Sequence, residues 1–170
     1  MQSAWNANGI CAVRTKFKAE KDAKIRLVQL NLLSKNFRFI NDVGAECEDN
    51  ATAEILQLFI GGNETYTGTK TTLLGRQSNL DLNVGYYCKD EQLLDMNYVA
   101  EHIGKKTVSS MNAGGVLRDK AHKLFRGTID FPLGSSGAKG DENEDVLILG
   151  EDVINQTVPV SYTHLRAHET

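Results

Sequence analysis

Two stretches of the chain alternate apolar and polar residues with a period of two. Asp81 and Asn83 separate Leu80, Leu82 and Val84, and Asp95 and Asn97 separate Leu94, Met96 and Tyr98. Successive side chains on an extended strand point to opposite faces, so this pattern marks half-buried β-strands. Further apolar runs cover 25–33, 37–40, 53–60, 69–74, 124–131 and 146–149. Turn-forming clusters at 48–50, 61–63, 75–79, 89–91 and Gly114-Gly115 separate them. Strands recurring at roughly 11–16 residues with polar turns predict an all-β sandwich, barrel or solenoid. No long stretch carries a helical period. Proline occurs only at Pro132 and Pro159, which leaves the core strands uninterrupted.

The strand intervals are too irregular for a strict hexapeptide or nonapeptide repeat. Pattern alone therefore places a sandwich slightly ahead of a solenoid. A solenoid stays compatible, because coils of unequal length still stack if their strand faces keep register.

The run from 116 to 158, VLRDKAHKLFRGTIDFPLGSSGAKGDENEDVLILGEDVINQTV, resembles the late β-helix segment of the SufB/SufD family, its SufD branch in particular. DMNYVAEHIGKKT, with Asn97, Tyr98, His102 and Gly104, is similar to another coil of that family. KLFRGTIDF matches with Arg126, Gly127 and Phe131, and EILQLFIGGNETYTG is a looser match. The resemblance spans roughly 23–158. It implies an all-β, right-handed parallel β-helix (solenoid) and reverses the preference for a sandwich. The chain is expected to hold only its central portion, as a fragment truncated at both ends.

The resemblance further implies a non-enzymatic scaffold subunit of the Suf iron–sulfur cluster assembly complex. Such a subunit pairs with a SufB-like protein and acts with the SufC ATPase, which docks on C-terminal helices. A transient Fe–S cluster forms at the SufB–SufD interface, and this chain is expected to bind no cofactor of its own. The fragment is expected not to bind SufC. The family's sulfur-handling cysteine belongs to SufB and maps to no position here. Its functional SufD histidine lies beyond Pro159, so neither His102 nor His122 inherits that role. Two alternatives stay open: a SufB-like scaffold, and a β-helix carbohydrate-active enzyme.

Residues 160–170, VSYTHLRAHET, read as the translation of a transposase sequencing adapter. They are expected to be a non-native tail behind a β-helix core over 1–159, and such segments are set aside before fold reasoning. His164 and His168 stand at the spacing of a helical zinc pair, and on this reading they carry no meaning.

The chain has 170 residues and a net charge of −3, enough length for one domain with a sizeable core. Removing the tail takes away Arg166 and Glu169, so the charge is unchanged. A mildly acidic chain argues against nucleic acid, whose phosphates need lysine and arginine. The stretch Arg14-Thr15-Lys16-Phe17-Lys18 reads as a solvated edge. No apolar run approaches the ~20 residues of a membrane span, and polar residues follow Met1, which argues against a signal peptide. Cys11, Cys47 and Cys88 are widely spaced, with no C-x-x-C. That fits free thiols in a reducing cytoplasm. Exposed strands near 146–154 are expected to favour homo-association through the terminal coil.

Candidate chemistry reduces to Cys47, Cys88 and His102. Thiolates could handle sulfur or iron, but small inert buried side chains are the competing reading for both cysteines. Glu46 and Glu48 flank Cys47 and are expected to raise its pKa. His102 shares its face with Met96, Tyr98 and Ala100, which predicts a hydrogen-bonded core histidine, against a metal ligand or proton carrier. His122 is expected to be exposed. The glycine-rich run 134–140 lacks the G-K-[ST] of a phosphate loop, and the acidic run 141–145 reads as a solvated loop. With no G-x-S-x-G, nucleophilic hydrolysis has little support.

Overall fold

The computed structural model describes residues 7–163. Among them lie eleven strands and no helix. They are β1 (Gly9–Ala19), β2 (Lys24–Asn31), β3 (Phe37–Cys47), β4 (Thr52–Phe59), β5 (Glu64–Leu73), β6 (Asn79–Cys88), β7 (Leu93–His102), β8 (Val108–Arg118), β9 (His122–Phe131), β10 (Lys139–Leu149) and β11 (Ile154–Thr163). Odd strands stack as a sheet of order β1-β3-β5-β7-β9-β11, and even strands as β10-β8-β6-β4-β2. Every adjacent pair is parallel. The chain is thus a β-solenoid of about five turns, each coil laying one strand in each sheet.

Coil length varies while register holds. Phe37 stands beside Gly9, 28 positions on; Glu64 beside Arg38, 26 on; Ile154 beside His122, 32 on. The turns absorb each inserted residue, so inward positions stay inward. This is why no fixed repeat is visible in the sequence and why pattern alone places a sandwich slightly ahead of a solenoid.

The corners show how. Asp22, Asn50, Gln77 and Lys106 all take left-handed backbone, with φ between 56° and 61°. Non-glycine residues adopt it only where surroundings hold them. Here the amide of Asp22 donates to Asp49 O, Asn50 to Arg76 O and Gln77 to Lys105 O, each at 2.9 Å. Every corner is tied to the next coil. Asn50 Nδ2 also donates to Asp22 Oδ1 at 2.9 Å.

The core lies between the sheets. Phe39, Val43, Ile55, Leu73, Leu82, Leu94, Met96, Tyr98, Met111, Leu117 and Phe125 are all buried. Both alternating stretches point inward as expected. Outward charges pair from coil to coil: Arg14 with Asp42 at 3.1 Å, Arg38 with Glu64 at 2.8 Å, Lys70 with Glu101 at 2.9 Å, and Arg126 with Asp95. Exposed pairs of this kind contribute at most about 1 kcal/mol each, so burial and the ladders carry stability.

Some expectations are corrected. Gly114 and Gly115 are no turn but the middle of β8. Gly115 faces inward, and a Cβ there would lie 2.3 Å from the Tyr86 ring. The acidic run 141–145 is no loop but part of β10. Asp141, Asn143 and Asp145 face solvent, while Glu142 and Glu144 turn inward. The basic stretch at 14–18 does lie on an edge strand, β1. Residues 160–163 continue β11 in register with β9. The remainder of the expected tail, with His164 and His168, falls outside the described residues. Pro159 sits in β11, where it pairs on one side only, as proline in a sheet requires.

Candidate functional site

Inward alternation on β7 places His102 in the interior with no exposed surface. Its Nδ1 lies 2.7 Å from Thr107 Oγ1, its Nε2 2.9 Å from Ser109 Oγ, and its ring stacks on Phe131 at 4.7 Å. Burial pushes its pKa down to about 4, against a smaller opposing pull from Asp130. A neutral imidazole donates through one nitrogen and accepts through the other, and two hydroxyls serve both roles. The geometry is that of a satisfied core histidine.

Cys47 and Cys88 are buried on β3 and β6. Burial pushes Cys47 up to about 11, and Cys88 up to about 12. For Cys47 the cause is desolvation, not the flanking glutamates, because Glu46 and Glu48 point away on the outer side. Thiols held this high are poor nucleophiles and poor ligands. The structure does not bring Cys47, Cys88 and His102 together: in register Cys47 pairs Leu73, Leu73 pairs His102, and Cys88 lies in the other sheet. Among the described residues, no group of three or more His, Cys, Asp or Glu is placed to hold a metal ion. His122, expected to be exposed, is half-buried and lies 3.5 Å from Gln156 on the covering strand β11.

Two polar constellations inside the solenoid carried no recognised motif. The first joins the sheets near the middle coils. Gln57 Nε2 donates to Gln29 Oε1 at 2.7 Å, Asn41 Nδ2 donates to Gln29 Oε1 and to Thr67 Oγ1, and the Tyr98 hydroxyl donates to Gln57 Oε1 at 2.9 Å. Thr69 and Thr71, on the same inner face, have hydroxyls without a protein partner.

The second centres on Lys123, fully buried on β9. Its Nζ donates to Glu144 Oε1 at 2.5 Å and to Thr157 Oγ1 at 3.0 Å. Tyr86 donates to Glu144 Oε1 at 3.0 Å, and Thr157 to Glu144 Oε2 at 2.5 Å. Desolvation lowers the Lys123 pKa, and Glu144 pulls it back. Burial, then the nearby Glu144, raises that of Glu142. The signal was legible in principle: Lys123 falls in phase with Phe125, Gly127 and Ile129, and Glu144 in phase with Val146.

Surface hollows offer little. One of about 410 Å³ lies against 131–136, and one of about 630 Å³ on the outer side of β1, β3 and β5. Neither contains Cys47, Cys88 or His102. No helix among the described residues is long and apolar enough to cross a membrane.

No curated protein matches the chain. The family model for the SUF system FeS cluster assembly SufBD core domain matches residues 1–164. That match covers nearly all of the sequence, and the parallel solenoid agrees with the architecture the resemblance implied. The chain belongs to the SufB/SufD family, which takes part in iron–sulfur cluster assembly.

Proposed function

We propose that the chain is a SufD-like, non-enzymatic scaffold of the cytoplasmic Suf complex, pairing with a SufB-like protein and acting with a SufC-like ATPase. The observation that carries this reading is the sealing of the candidate reactive groups. Cys47, Cys88 and His102 are each buried and, in ground state, poorly suited to chemistry. What the solenoid offers instead is a rigid frame whose end strands carry unpaired backbone groups, a surface that joins other sheets. The phrases KLFRGTIDF and GAKGDENEDVLILGEDV favour the SufD branch over the SufB branch. The cluster would form with the partner, and ATP hydrolysis would belong to the ATPase.

Co-expression with a SufB-like and a SufC-like protein, followed by affinity capture on each partner, tests this. Capture through the SufB-like protein, with reconstituted cluster unaffected by Cys47→Ser and Cys88→Ser, is the expected result. Loss of cluster in either cysteine variant, with the complex intact, would assign this chain a direct ligand role and defeat the scaffold reading.

A further inference from the structure

The outer face of the odd-numbered sheet carries its charges in a pattern with one gap. Alternation turns Arg14, Lys16 and Lys18 of β1 outward, three cations on one line. The register sets Asp42 beside Arg14, Gly44 beside Lys16 and Glu46 beside Lys18 on β3. Two of the three cations thus stand next to a carboxylate, and the middle one stands next to a glycine. On the far side of that glycine the register places Lys70 of β5. Arg14 pairs with Asp42 at 3.1 Å, Lys18 with Glu48 at 2.6 Å and Lys70 with Glu101 at 2.9 Å. Of these four cations, Lys16 alone has no ion-pair partner among the described residues.

The same glycine opens a floor. The hollow of about 630 Å³ on this face includes Gly44, all four cations and only two carboxylates, Asp42 and Glu46. The whole chain carries a net charge of −3, so this positive excess is local and does not follow from composition. A concave surface of one sign concentrates the field and draws groups of the opposite sign. Neighbouring strands lie about 4.8 Å apart, so Lys16 and Lys70 flank the glycine at about one strand spacing on either side. None of this depends on what lies beside β1. A strand added to that edge would leave the outward faces of β1, β3 and β5 where they are.

We propose that this hollow docks an acidic segment of a partner protein, with Lys16 as the anchor for a carboxylate seated over Gly44. The incoming group supplies the counter-charge that the sheet provides beside Arg14 and Lys18 and omits beside Lys16. Residues two apart on an extended strand stand about 6.6 Å apart, so Arg14, Lys16 and Lys18 match acidic residues at alternate positions of an extended segment. A nucleic-acid strand fits less well, because Asp42 and Glu46 stand on the same floor and repel a continuous line of phosphates. The surface does not rest on the scaffold reading, which concerns the sealed thiols and histidine and the end strands.

The test is fluorescence anisotropy of a fluorescein-labelled octapeptide of alternating glutamate and serine, titrated with the full 170-residue chain at low and at high salt. Saturable binding that weakens with salt is expected. Lys16→Gln should weaken it about fivefold, whereas Lys35→Gln, which removes an exposed charge from the turn before β3, should stay within about twofold. Gly44→Glu should abolish it, because the chain then carries its own carboxylate in the hollow. That substitution fits: a Cβ at 44 meets only Lys16 Cγ at 3.5 Å and Cε at 3.9 Å. Thermal melts no lower than the parent's confirm that each variant folds, and the two lysine variants decide the matter if Gly44→Glu does not. Equal losses in Lys16→Gln and Lys35→Gln would reduce the binding to net charge and overturn the site. Absence of saturable binding at low salt would overturn it as well. Tighter binding of a labelled oligothymidylate, lost in Lys16→Gln, would assign the hollow to phosphate groups and defeat the acidic-segment proposal.

Discussion

The Tyr98 hydroxyl donates to Gln57 Oε1 at 2.9 Å, joining the two sheets through the middle of the solenoid. Both residues are fully buried. Tyr98→Phe leaves the Gln57 oxygen without its donor and should cost about 1–2 kcal/mol, read as a lower chemical-denaturation midpoint at unchanged slope. Gln57→Leu added to Tyr98→Phe should recover part of that loss. Gln29 Oε1 keeps Asn41 as a donor, so no new orphan arises. A double variant as costly as the sum of the singles would show that the bond carries no coupling.

Gly115 faces the Tyr86 ring, and its Cβ would fall 2.3 Å from Tyr86 Cδ2 and 2.4 Å from Tyr86 O. The backbone oxygen cannot swing aside, so Gly115→Ala should destabilise by about 2–3 kcal/mol. Gly114 is its neighbour with an open face, meeting only Asp145 O at 3.7 Å. Gly114→Ala in the same strand should therefore be nearly neutral or mildly stabilising. Thermal melts of the two variants side by side give the answer, and equal losses would contradict the inward–outward assignment of β8.

These glycines also show where the sequence stopped being legible. Alternation at 80–84 and 94–98 identified inward faces correctly, because apolar burial and period two point the same way there. It failed at Gly114-Gly115, where glycine serves a packing need that looks like a turn. It failed again at 141–145, where inward glutamates replace apolar residues and the run looks like a solvated loop. Lys123 went unnoticed for a related reason: its phase with Phe125 and Ile129 marks an inward position, but a lysine there reads as a break in the pattern until Glu144 and Thr157 are seen to face it. The solenoid itself emerged from family resemblance, since coils of 26 to 32 residues hide the repeat from pattern reading.

His102 makes stability depend on pH. Its ordinary pKa near 6.5 falls to about 4 in the fold. Above pH 6.5 the imidazole is neutral both folded and unfolded, and the folded state keeps its full advantage. As pH falls from 6.5 towards 4 the unfolded chain gains a proton that the folded chain refuses, so stability declines across that window. The loss attributable to this residue is on the order of 3 kcal/mol. His102→Gln keeps a donor and an acceptor but does not titrate. Subtracting its unfolding free energy from that of the parent at pH 8, 6, 5 and 4 should isolate the decline. Parallel profiles for the two chains would remove His102 as the cause.

Glu142 and Gly127 occupy one space. A Cβ on Gly127 would lie 2.1–2.2 Å from the Glu142 carboxylate, so the glutamate enters the last coil only because residue 127 has no side chain. Burial and Glu144 both raise the Glu142 pKa, so the folded chain resists its ionisation. A raised carboxyl pKa leaves stability intact below the unfolded value and lowers it as pH rises through the folded one. Glu142→Gln should therefore raise the melting temperature at pH 7, on the order of 2 °C for a partly exposed group, and change it little at pH 4. Gly127→Ala should destabilise by displacing the carboxylate, and Glu142→Ala should relieve most of that loss. If Gly127→Ala costs the same with and without Glu142, the two do not share the space and the inward path of β10 is wrong.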